Sequence, residues 1–438
     1  MASPTSSAEP LRFDDLAGRR VGVWGLGVEG AATLRRLRAD GVTPVLVDRE
    51  SGALDDGSEV VGLTDGGLEL LQGCDVVVKS PGISRYGDDV RALEAAGVRV
   101  VGGLGLWLAG AERSRVLCIT GTKGKSTTTS IAGGLLTGLG VRHLLGGNIG
   151  APPWDPELPS DVDWWVIETS SYQALDVTLG PQVVAVTSLS EDHLPWHGGS
   201  VANYYRDKLS LCTRPGVAHV VANGDDATLR SHAALLGPHV DWVEREASGW
   251  VATGPLLGGH NRRNAEIARR ALSVLGVPGV DDEDLLAEAF RRFVPLPSRL
   301  TPVGERDGVT FVDDSISTNV LSTTAAVESF PDRRVGLLVG GLSRDIDYRP
   351  LAAALTDRDV RVFTMPTNGP AIAAVLRDAG VDAVDNCSSL DDAVARGFAW
   401  ARPGGVVLLS PAAASFDLFR DYRDRGRAFE RAVASLTG

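Results

Sequence analysis

The stretch at residues 116–136, VLCITGTKGKSTTTSIAGGLL, predicts the feature around which the chain is organised. Residues 116–120 are an apolar, partly β-branched run that is typical of a buried strand. A turn that contains glycine follows at residues 121–127, and the residues after it favour a helix with apolar positions about 3.6 apart. A strand, a glycine turn and a helix in this order form a cradle for phosphate, because backbone N–H groups and the helix N-terminus point towards one anion.

The side chains of this turn indicate which anion it binds. Lys125 can reach the outer phosphates of a nucleotide, and Ser126 or Thr127 can offer a hydroxyl to Mg²⁺. The usual P-loop pattern has four residues between its glycines, whereas only Thr122 and Lys123 stand between the glycines here. The alternative is a tight strand-to-helix turn with a surface lysine. The predicted ATP-binding residues of the turn are Gly121, Thr122, Lys123, Gly124, Lys125, Ser126 and Thr127.

Composition limits the class of protein. A length of 438 residues suggests two or three domains, and 43% hydrophobic with 23% charged residues is ordinary for a soluble globular protein. The net charge of −13 argues against a nucleic-acid partner. The four cysteines form no CxxC pair, which favours a reducing compartment over disulfides or a thiolate zinc site. Neither a secretory signal nor a membrane-length apolar stretch is visible, so we expect a cytoplasmic protein without a membrane partner.

A second glycine turn lies near the start of the chain. Residues 20–24 predict a strand, GLGVEG follows at residues 25–30, and a second strand ends in Asp48, 18 positions after the last of these glycines. Such a turn binds a pyrophosphate at a helix N-terminus, and the acidic residue is available to a ribose hydroxyl. Alone, it is compatible with NAD and equally with another diphosphate such as a UDP-sugar. The strand at residues 75–79 ends in a further loop, SPGI, at the same edge of the predicted sheet.

Two candidate metal ligands follow strands of the central region. The strand at residues 164–167 leads into Glu168, and the strand at residues 183–188 leads into His193. Because both side chains lie at strand ends beside the phosphate cradle, we expect them to bind Mg²⁺. Lys208 lies on a predicted helix and is a candidate cation of the site. The alternative is a lysine that is simply exposed to solvent on that helix. GGNIG at residues 146–150 is too rich in glycine for the interior of an element and predicts a loop.

The last third of the chain predicts a further unit of alternating strands and helices. GGHNRRN at residues 258–264 opens a helix rich in alanine, where an asparagine could serve as an N-cap. Pro-Leu-Pro at residues 295–297 predicts a domain boundary. After it, three strands each lead into a polar loop, so this unit also presents a binding edge; the strands lie at residues 309–312, 335–339 and 406–409. The pattern predicts an α/β fold throughout.

Taken together, these stretches resemble the Mur ligases, the ATP-dependent enzymes that build the peptidoglycan stem peptide. The resemblance extends from about residue 12 to residue 435, and within the family it is strongest to the glutamate-adding ligases. The segments that carry it are TGTKGKST, GGNIG, ETSSYQ, EDH with HGGSVANYYRDKLSL, GGHNRRNAEIA, PSRL, DDSISTN and LLSPAAASFDLFRDYRDRG.

The resemblance implies three α/β domains and an ATP-dependent amide ligase. A Rossmann-like UDP-sugar-binding domain would occupy residues 1–108, a central P-loop ATPase residues 109–297, and a Rossmann-like amino-acid-binding domain residues 298–438. The first glycine turn is then a UDP-sugar site and not an NAD site. The implied substrates are UDP-N-acetylmuramoyl-L-alanine, glutamate and ATP, with Mg²⁺ as cofactor, and a monomer is expected.

The resemblance also implies roles for individual residues. The implied catalytic residues are Lys125, His193 and Lys208. The implied metal ligands are Ser126, Thr127, Glu168, His193 and Lys208, the last as a carbamate. Further nucleotide-binding residues are Asn261, Asn264, Arg299 and Asp314. The implied UDP-sugar-binding residues are Gly27, Val28, Glu29, Asp48, Arg49, Gly82, Asn148, Ser170 and Gln173. The implied glutamate-binding residues are Thr318, Arg344, Ser415 and Tyr422.

The amino-acid pocket departs from the pattern of the D-glutamate-adding ligases. Ile316 stands where they have one lysine, Arg344 where they have another, and Tyr422 where they have phenylalanine. Together with Trp24, this resembles a variant that adds L-glutamate before a separate enzyme epimerises it. We therefore expect L-glutamate, with D-glutamate as the alternative. Three rival functions remain: an NAD-dependent oxidoreductase, a non-catalytic module that senses muramoyl peptides, and another Mur ligase that acts at a different position of the stem peptide.

Overall fold

The structure is a computed structural model that describes residues 9–244, 248–255, 257–342 and 346–436. The chain divides into two compact units. The first comprises residues 1–253 and 263–293, and the second comprises residues 254–262 and 294–438. Within the described ranges, no helix is both long enough and apolar enough to cross a membrane.

The first unit begins with a six-stranded sheet in the order β3-β4-β2-β1-β5-β6. All of its pairs are parallel except β3 with β4. Its strands are β1 (Val21–Trp24), β2 (Val45–Asp48), β3 (Gly52–Ala53), β4 (Glu59–Gly62), β5 (Val76–Lys79) and β6 (Arg99–Gly102). Its helices are α1 (Val28–Ala39), α2 (Leu68–Gln72), α3 (Asp88–Ala95) and α4 (Gly103–Gly110).

The second sheet of this unit is parallel throughout, in the order β12-β11-β10-β7-β9-β8. Its strands are β7 (Val116–Thr120), β8 (His143–Gly147), β9 (Trp164–Glu168), β10 (Val183–Val186), β11 (His219–Asn223) and β12 (Val240–Val243). The helices of this region are α5 (Lys125–Gly138), α6 (Ser171–Asp176), α7 (Val201–Leu209), α8 (Ala227–Ser231), α9 (Gly259–Leu275) and α10 (Glu283–Arg291). Residues 259–262 of α9 are counted in the second unit. The strand predicted at residues 116–120 and the helix after the glycine turn are therefore confirmed.

The loop predicted for residues 146–150 is wrong at its first two residues. Gly146 and Gly147 are the last residues of β8 and pair with Ile167 and Glu168 of β9. A Cβ atom on Gly147 would lie 2.2 Å from the carbonyl oxygen of Glu168, and its φ of 85° is left-handed. Glycine is therefore required here by a close approach of two backbones, which the local sequence alone does not reveal.

The two sheets of the first unit share one apolar core. Buried side chains of both sheets belong to the same cluster, among them Phe13, Val23, Trp154 and Val184. The indole N–H of Trp154 donates to Thr33 Oγ1 of α1 at 3.0 Å, and its ring packs against Phe13 with centroids 6.2 Å apart. The central β7 lies between β9 and β10 with all five residues buried, which explains its uninterrupted apolar sequence.

The second unit contains a third six-stranded sheet in the order β13-β14-β18-β15-β16-β17. Among the described residues of this sheet, β13 and β14 pair antiparallel and the other pairs are parallel. Its strands are β13 (Thr301–Arg306), β14 (Val309–Asp313), β15 (Val335–Val339), β16 (Val360–Thr364), β17 (Val384–Asn386) and β18 (Val406–Leu409). Its helices are α11 (Val320–Glu328), α12 (Arg349–Leu355), α13 (Gly369–Asp378), α14 (Leu390–Ala401) and α15 (Tyr422–Ala434). The α/β fold is confirmed, whereas the boundaries between the three predicted domains stay a prediction.

Candidate active site

The turn between β7 and α5 has the geometry of an anion cradle. Gly121 and Gly124 have φ values of 136° and 86°, and Gly124 is the N-cap of α5. A Cβ atom on Gly121 would lie 2.1 Å from Thr187 Oγ1, so no larger residue fits there. The turn is fastened to the loop after β10, because the N–H of Lys123 donates to Ser188 Oγ at 2.8 Å. The first N–H groups of α5 have no partner within the helix and therefore face the open end of the turn.

Two lysine side chains meet at one carbonyl group of this turn. Lys125 Nζ donates to the carbonyl oxygen of Gly121 at 2.9 Å, and Lys208 Nζ donates to the same oxygen at 3.0 Å. Lys208 is only 2% exposed. Burial, followed by the nearby charge of Lys125, lowers the pKa of Lys208 well below its ordinary value. The amine of Lys208 is therefore biased towards its uncharged, nucleophilic form.

Glu168 supplies a buried carboxylate at the end of β9. The residue is 1% exposed, and its Oε1 accepts from Asn148 Nδ2 at 2.9 Å. Its other oxygen, Oε2, is buried without a hydrogen-bond partner among the described residues. An unpaired buried oxygen is costly, so a cation ligand would complete this environment.

This donor set fits Mg²⁺ better than a metal held entirely by protein. In the described ranges, no group of three or more His, Cys, Asp or Glu side chains converges on one point. Mg²⁺ commonly uses one or two carboxylates and takes its remaining ligands from phosphates and water. Glu168 and the hydroxyls of Ser126 and Thr127 in the first turn of α5 would supply such a partial set of ligands.

His193 lies where the loop after β10 enters a short 3₁₀ helix, Leu194–His197. Its φ of 49° is left-handed, and 58% of its side chain is exposed. Its ring meets Tyr172 edge to face, with centroids 5.5 Å apart. Burial of part of the ring lowers the pKa of His193 from 6.5, opposed by the carboxylate of Asp192. A neutral imidazole is the form that binds metals.

The first glycine turn, between β1 and α1, is built in a different way. Gly27 is the N-cap of α1, and a Cβ atom on Gly30 would lie 1.9 Å from the carbonyl oxygen of Gly25. Asp48 closes the turn, because its Oδ2 accepts from the N–H of Leu26 at 2.7 Å. The neighbouring predicted residues Val28 and Arg49 are both exposed.

Hydrogen bonds join this turn to the start of α6 in the second sheet. Gln173 Nε2 donates to Glu29 Oε1 at 2.5 Å, and Gln173 Oε1 accepts from the N–H of Ser170 at 2.8 Å. Burial raises the pKa of Glu29 to about 7. The carbonyl oxygen of Gly82 accepts from the indole N–H of Trp196 at 3.1 Å. Within the first unit, predicted UDP-sugar-binding residues from both sheets therefore lie along one seam.

Sequence reasoning missed a buried ion pair on the same seam. Lys79 Nζ lies 2.6 Å from Asp176 Oδ2, and Arg85 Nε lies 2.5 Å from Asp176 Oδ1. The side chains of Lys79 and Asp176 are 0% and 2% exposed. Lys79 ends a predicted strand in the sequence, and nothing local pairs it with a residue 97 positions away. A lysine at the end of an otherwise apolar strand was the one available signal.

The second unit holds most of the remaining predicted residues. Asp314 follows β14, accepts from Ser410 Oγ at 2.7 Å, and has its pKa raised to about 7 by burial. Ser415 is buried, Thr318 is exposed, and Tyr422 is the first residue of α15. Two predicted nucleotide-binding residues, Asn261 and Arg299, also belong to this unit.

Two predicted residues stand apart from that group. Asn264 belongs to the first unit, where its Oδ1 would lie 2.9 Å from a Cβ atom on Gly124. Arg344 lies outside the described residues.

Comparison with known proteins identifies the family. Residues 119–245 match the Mur ligase middle domain, and residues 298–413 match the Mur ligase, glutamate ligase domain. The chain is 39% identical to a UDP-N-acetylmuramoyl-L-alanine–L-glutamate ligase of Xanthomonas axonopodis pv. citri (strain 306), over 96% of each chain. It is 36% identical to a protein of the same name from Salinispora tropica, over 98% of this chain and 100% of the relative.

The fold agrees with that result. The crystal structure of MurF from Acinetobacter baumannii has a TM-score of 0.59 with this chain at 14% identity, covering 94% of this chain and 90% of the other. At this identity the likeness concerns the fold alone. The near full-length sequence matches and the two matching domains together show that the chain belongs to the Mur ligase family.

Proposed function

We propose that the chain is an ATP-dependent ligase that joins glutamate to the alanine carboxylate of UDP-N-acetylmuramoyl-L-alanine in peptidoglycan synthesis. The observation that carries this proposal is that Lys125 and Lys208 meet at the carbonyl oxygen of Gly121 in the phosphate cradle, while Glu168 ends the neighbouring strand β9 within electrostatic reach of Lys208. The names of relatives that are 36–39% identical over nearly the whole chain support the choice of substrates.

The chemistry explains why the site needs a nucleotide. A carboxylate is a poor electrophile because its leaving group would be oxide. Its oxygen attacks the γ-phosphorus of ATP, which releases ADP and leaves an acyl phosphate. The amine of glutamate then attacks the acyl carbon, phosphate leaves, and an amide forms. Most of the acceleration comes from positioning and from neutralising charge, for which Lys125 and the N–H groups of α5 are suited.

The metal ligands follow from the same donors. We assign one Mg²⁺ to Glu168 with Ser126 or Thr127, and a second to His193 and a modified Lys208. Bound Mg²⁺ would neutralise phosphate charge as it develops during transfer. The buried oxygen of Glu168 that lacks a donor supports the first of these assignments.

We further propose that Lys208 is carbamylated. The uncharged amine would attack CO₂, lose one proton and become a carbamate, which replaces a cation by an anion able to support the second metal. Near-complete burial and the neighbouring Lys125 favour the uncharged amine that this reaction needs. A carbamate at this position would also place a negative charge beside the amine of Lys125, which donates to the same carbonyl oxygen as Lys208.

The UDP-sugar would bind along the seam of the first unit in this proposal, at Gly27, Glu29, Asp48 and Gln173 with their neighbours. As further nucleotide-binding residues we propose Asn261, Asn264, Arg299 and Asp314.

For the amino acid we propose L-glutamate. Inversion at Cα, with the attacking amine held fixed, redirects one carboxylate, so the groups that bind it must differ between enantiomers. Ile316 removes a cation from the pocket, Arg344 can hold a carboxylate through two hydrogen bonds, and Tyr422 adds a hydroxyl donor. The relatives named as L-glutamate ligases support this choice. A preference of about 100-fold needs only about 2.7 kcal/mol.

One assay tests the ligase and the enantiomer together. The chain is incubated with UDP-N-acetylmuramoyl-L-alanine, ATP and Mg²⁺ with either glutamate enantiomer, and the product is examined by mass and chirality. We expect ATP-dependent amide formation with a higher kcat/KM for L-glutamate. A higher kcat/KM for D-glutamate would overturn the enantiomer and leave the ligase standing, whereas no amide with either would overturn both.

A further inference from the structure

A fully buried histidine that is absent from the predicted site connects two elements that carry site residues. His197 ends the 3₁₀ helix Leu194–His197, and none of its side chain is exposed. Its Nδ1 lies 2.7 Å from Asp207 Oδ2, and its Nε2 lies 3.1 Å from Ser171 Oγ. A carboxylate only accepts, so Nδ1 donates to Asp207 and Nε2 is available to accept from the Ser171 hydroxyl. His197 is therefore a polar bridge with both ring nitrogens paired.

The two ends of this bridge fix the parts of the site that face the substrate and the metal. Ser171 is the first residue of α6, and it stands inside the capping box that Ser170 forms with Gln173. Asp207 directly precedes Lys208 on α7. Consecutive residues of a helix are rotated by about 100°, so holding Asp207 sets the rotation of α7 and thereby the direction of Lys208.

The hydrogen bonds of this bridge continue to the loop that follows the carboxyl end of β5 in the first sheet. Tyr86 follows β5 and donates its hydroxyl to Asp207, with its oxygen 2.9 Å from Oδ2 and 3.2 Å from Oδ1. Burial, followed by the Asp207 carboxylate, raises the pKa of Tyr86, which keeps the hydroxyl a donor. Ser84 in the same loop donates to the carbonyl oxygen of Trp196 at 2.6 Å.

We propose that His197 is a positioning residue for the UDP-muramoyl substrate. It keeps the start of α6 in register with α7, so that Ser170 and Gln173 remain aligned with Lys208. This inference rests on the proposed function, because it assumes that Ser170 and Gln173 face that substrate. The contrasting possibility is a histidine that only stabilises the core.

Steady-state kinetics of the full chain separate the two possibilities. His197→Asn keeps a donor near the position of Nδ1 but cannot reach Ser171. Ser171→Ala removes the other partner of the same hydrogen bond. We expect each variant to raise KM for UDP-N-acetylmuramoyl-L-alanine about tenfold while KM for ATP changes less than about twofold. A tenfold change corresponds to about 1.4 kcal/mol, the size of one buried hydrogen bond. The double variant should be little worse than either single variant, because both remove one interaction.

His232→Asn is the matched control. His232 meets Tyr205 on the same helix α7 with ring centroids 4.9 Å apart, and its Nδ1 lies 2.9 Å from the carbonyl oxygen of Thr228. This variant should leave both KM values unchanged, even if its Tm falls. If His197→Asn does not fold, Ser171→Ala carries the test alone.

The outcomes distinguish this inference from the proposed function. Unchanged KM values in Ser171→Ala and His197→Asn, or equal increases for both substrates, would overturn the positioning role while wild-type ligation stands. Absence of ligation by the wild type would instead overturn the proposed function.

Discussion

Two turns of the first unit share one construction and differ in charge. Each follows a parallel strand, contains a glycine with positive φ (86° at Gly25 and 136° at Gly121), and ends at the N-terminus of a helix. The turn after β1 is lined by the carboxyl groups of Glu29 and Asp48. The turn after β7 is lined by amines, of which Lys125 is one.

The difference shows that a helix N-terminus favours an anion but does not determine which anion binds. In the β1 turn, Glu29 is tied to Gln173 and has a raised pKa, so a protonated carboxyl can share the site with a diphosphate. In the β7 turn, the ammonium of Lys125 donates to the backbone carbonyls of Gly121 and Thr122. A bound outer phosphate would attract this ammonium away from those carbonyls. Side chains therefore assign the first turn to a UDP-sugar and the second to ATP in our proposal.

The largest expected effect comes from removing the charge of the β7 turn. Lys125→Ala should lower kcat for ligation by about 1,000-fold, because phosphate charge in the transition state loses its cation. Circular dichroism should remain that of the wild type. Arg142→Ala is the matched control, because Arg142 follows the other end of α5, pairs with Asp163 at 2.9 Å, is absent from the predicted site and should matter far less. Near-normal turnover in Lys125→Ala would show that this turn is not the ATP site.

The second effect concerns Lys208 of α7, which donates to the same carbonyl oxygen of the β7 turn as Lys125. Lys208→Ala should lower kcat about 100-fold and should be partly rescued by short carboxylic acids, because a free acid can replace a carbamate near the metal. Lys208→Arg keeps a cation but cannot be carbamylated, and it should stay inactive with or without such acids. Wild-type activity in Lys208→Arg would contradict the carbamate.

The smallest effect belongs to the β1 turn and is a change of stability with pH. Folding raises the pKa of Glu29 from 4.5 to about 7, so the folded state favours the protonated carboxyl. The contribution of Glu29 is complete below pH 4.5 and is lost as the pH rises through about 7. Glu29→Gln, which cannot ionise, should therefore lose less free energy of unfolding than the wild type between pH 5 and 8. Denaturant unfolding at several pH values checks this, and parallel curves would contradict it.

The local sequence was sufficient for the two turns and insufficient for the seam between the sheets. The strand at residues 116–120 was predicted correctly because an apolar run and a flanking glycine are local signals. Gly147 was misassigned because a Cβ atom there would meet the carbonyl oxygen of Glu168 in the neighbouring strand β9, and Gly146 because a Cβ atom there would meet the carbonyl oxygen of Ala151.

Contacts between distant segments account for the rest. The bond from Gln173 to Glu29 joins residues 144 positions apart, and the ion pair of Lys79 with Asp176 joins residues 97 positions apart. Such pairs depend on how the two sheets share a core, which no periodicity encodes. His197 was hidden for the same reason, since a histidine in a loop gives no sign of being fully buried.

The destination of one carboxylate oxygen tests most directly the central claim, that ligation proceeds through an acyl phosphate. UDP-N-acetylmuramoyl-L-alanine is labelled with ¹⁸O in both oxygens of its alanine carboxylate and is incubated with the chain, ATP, Mg²⁺ and L-glutamate. Activation as an acyl phosphate predicts that one labelled oxygen leaves in inorganic phosphate and that the other remains in the new amide. Amide product accompanied by unlabelled phosphate would contradict the account.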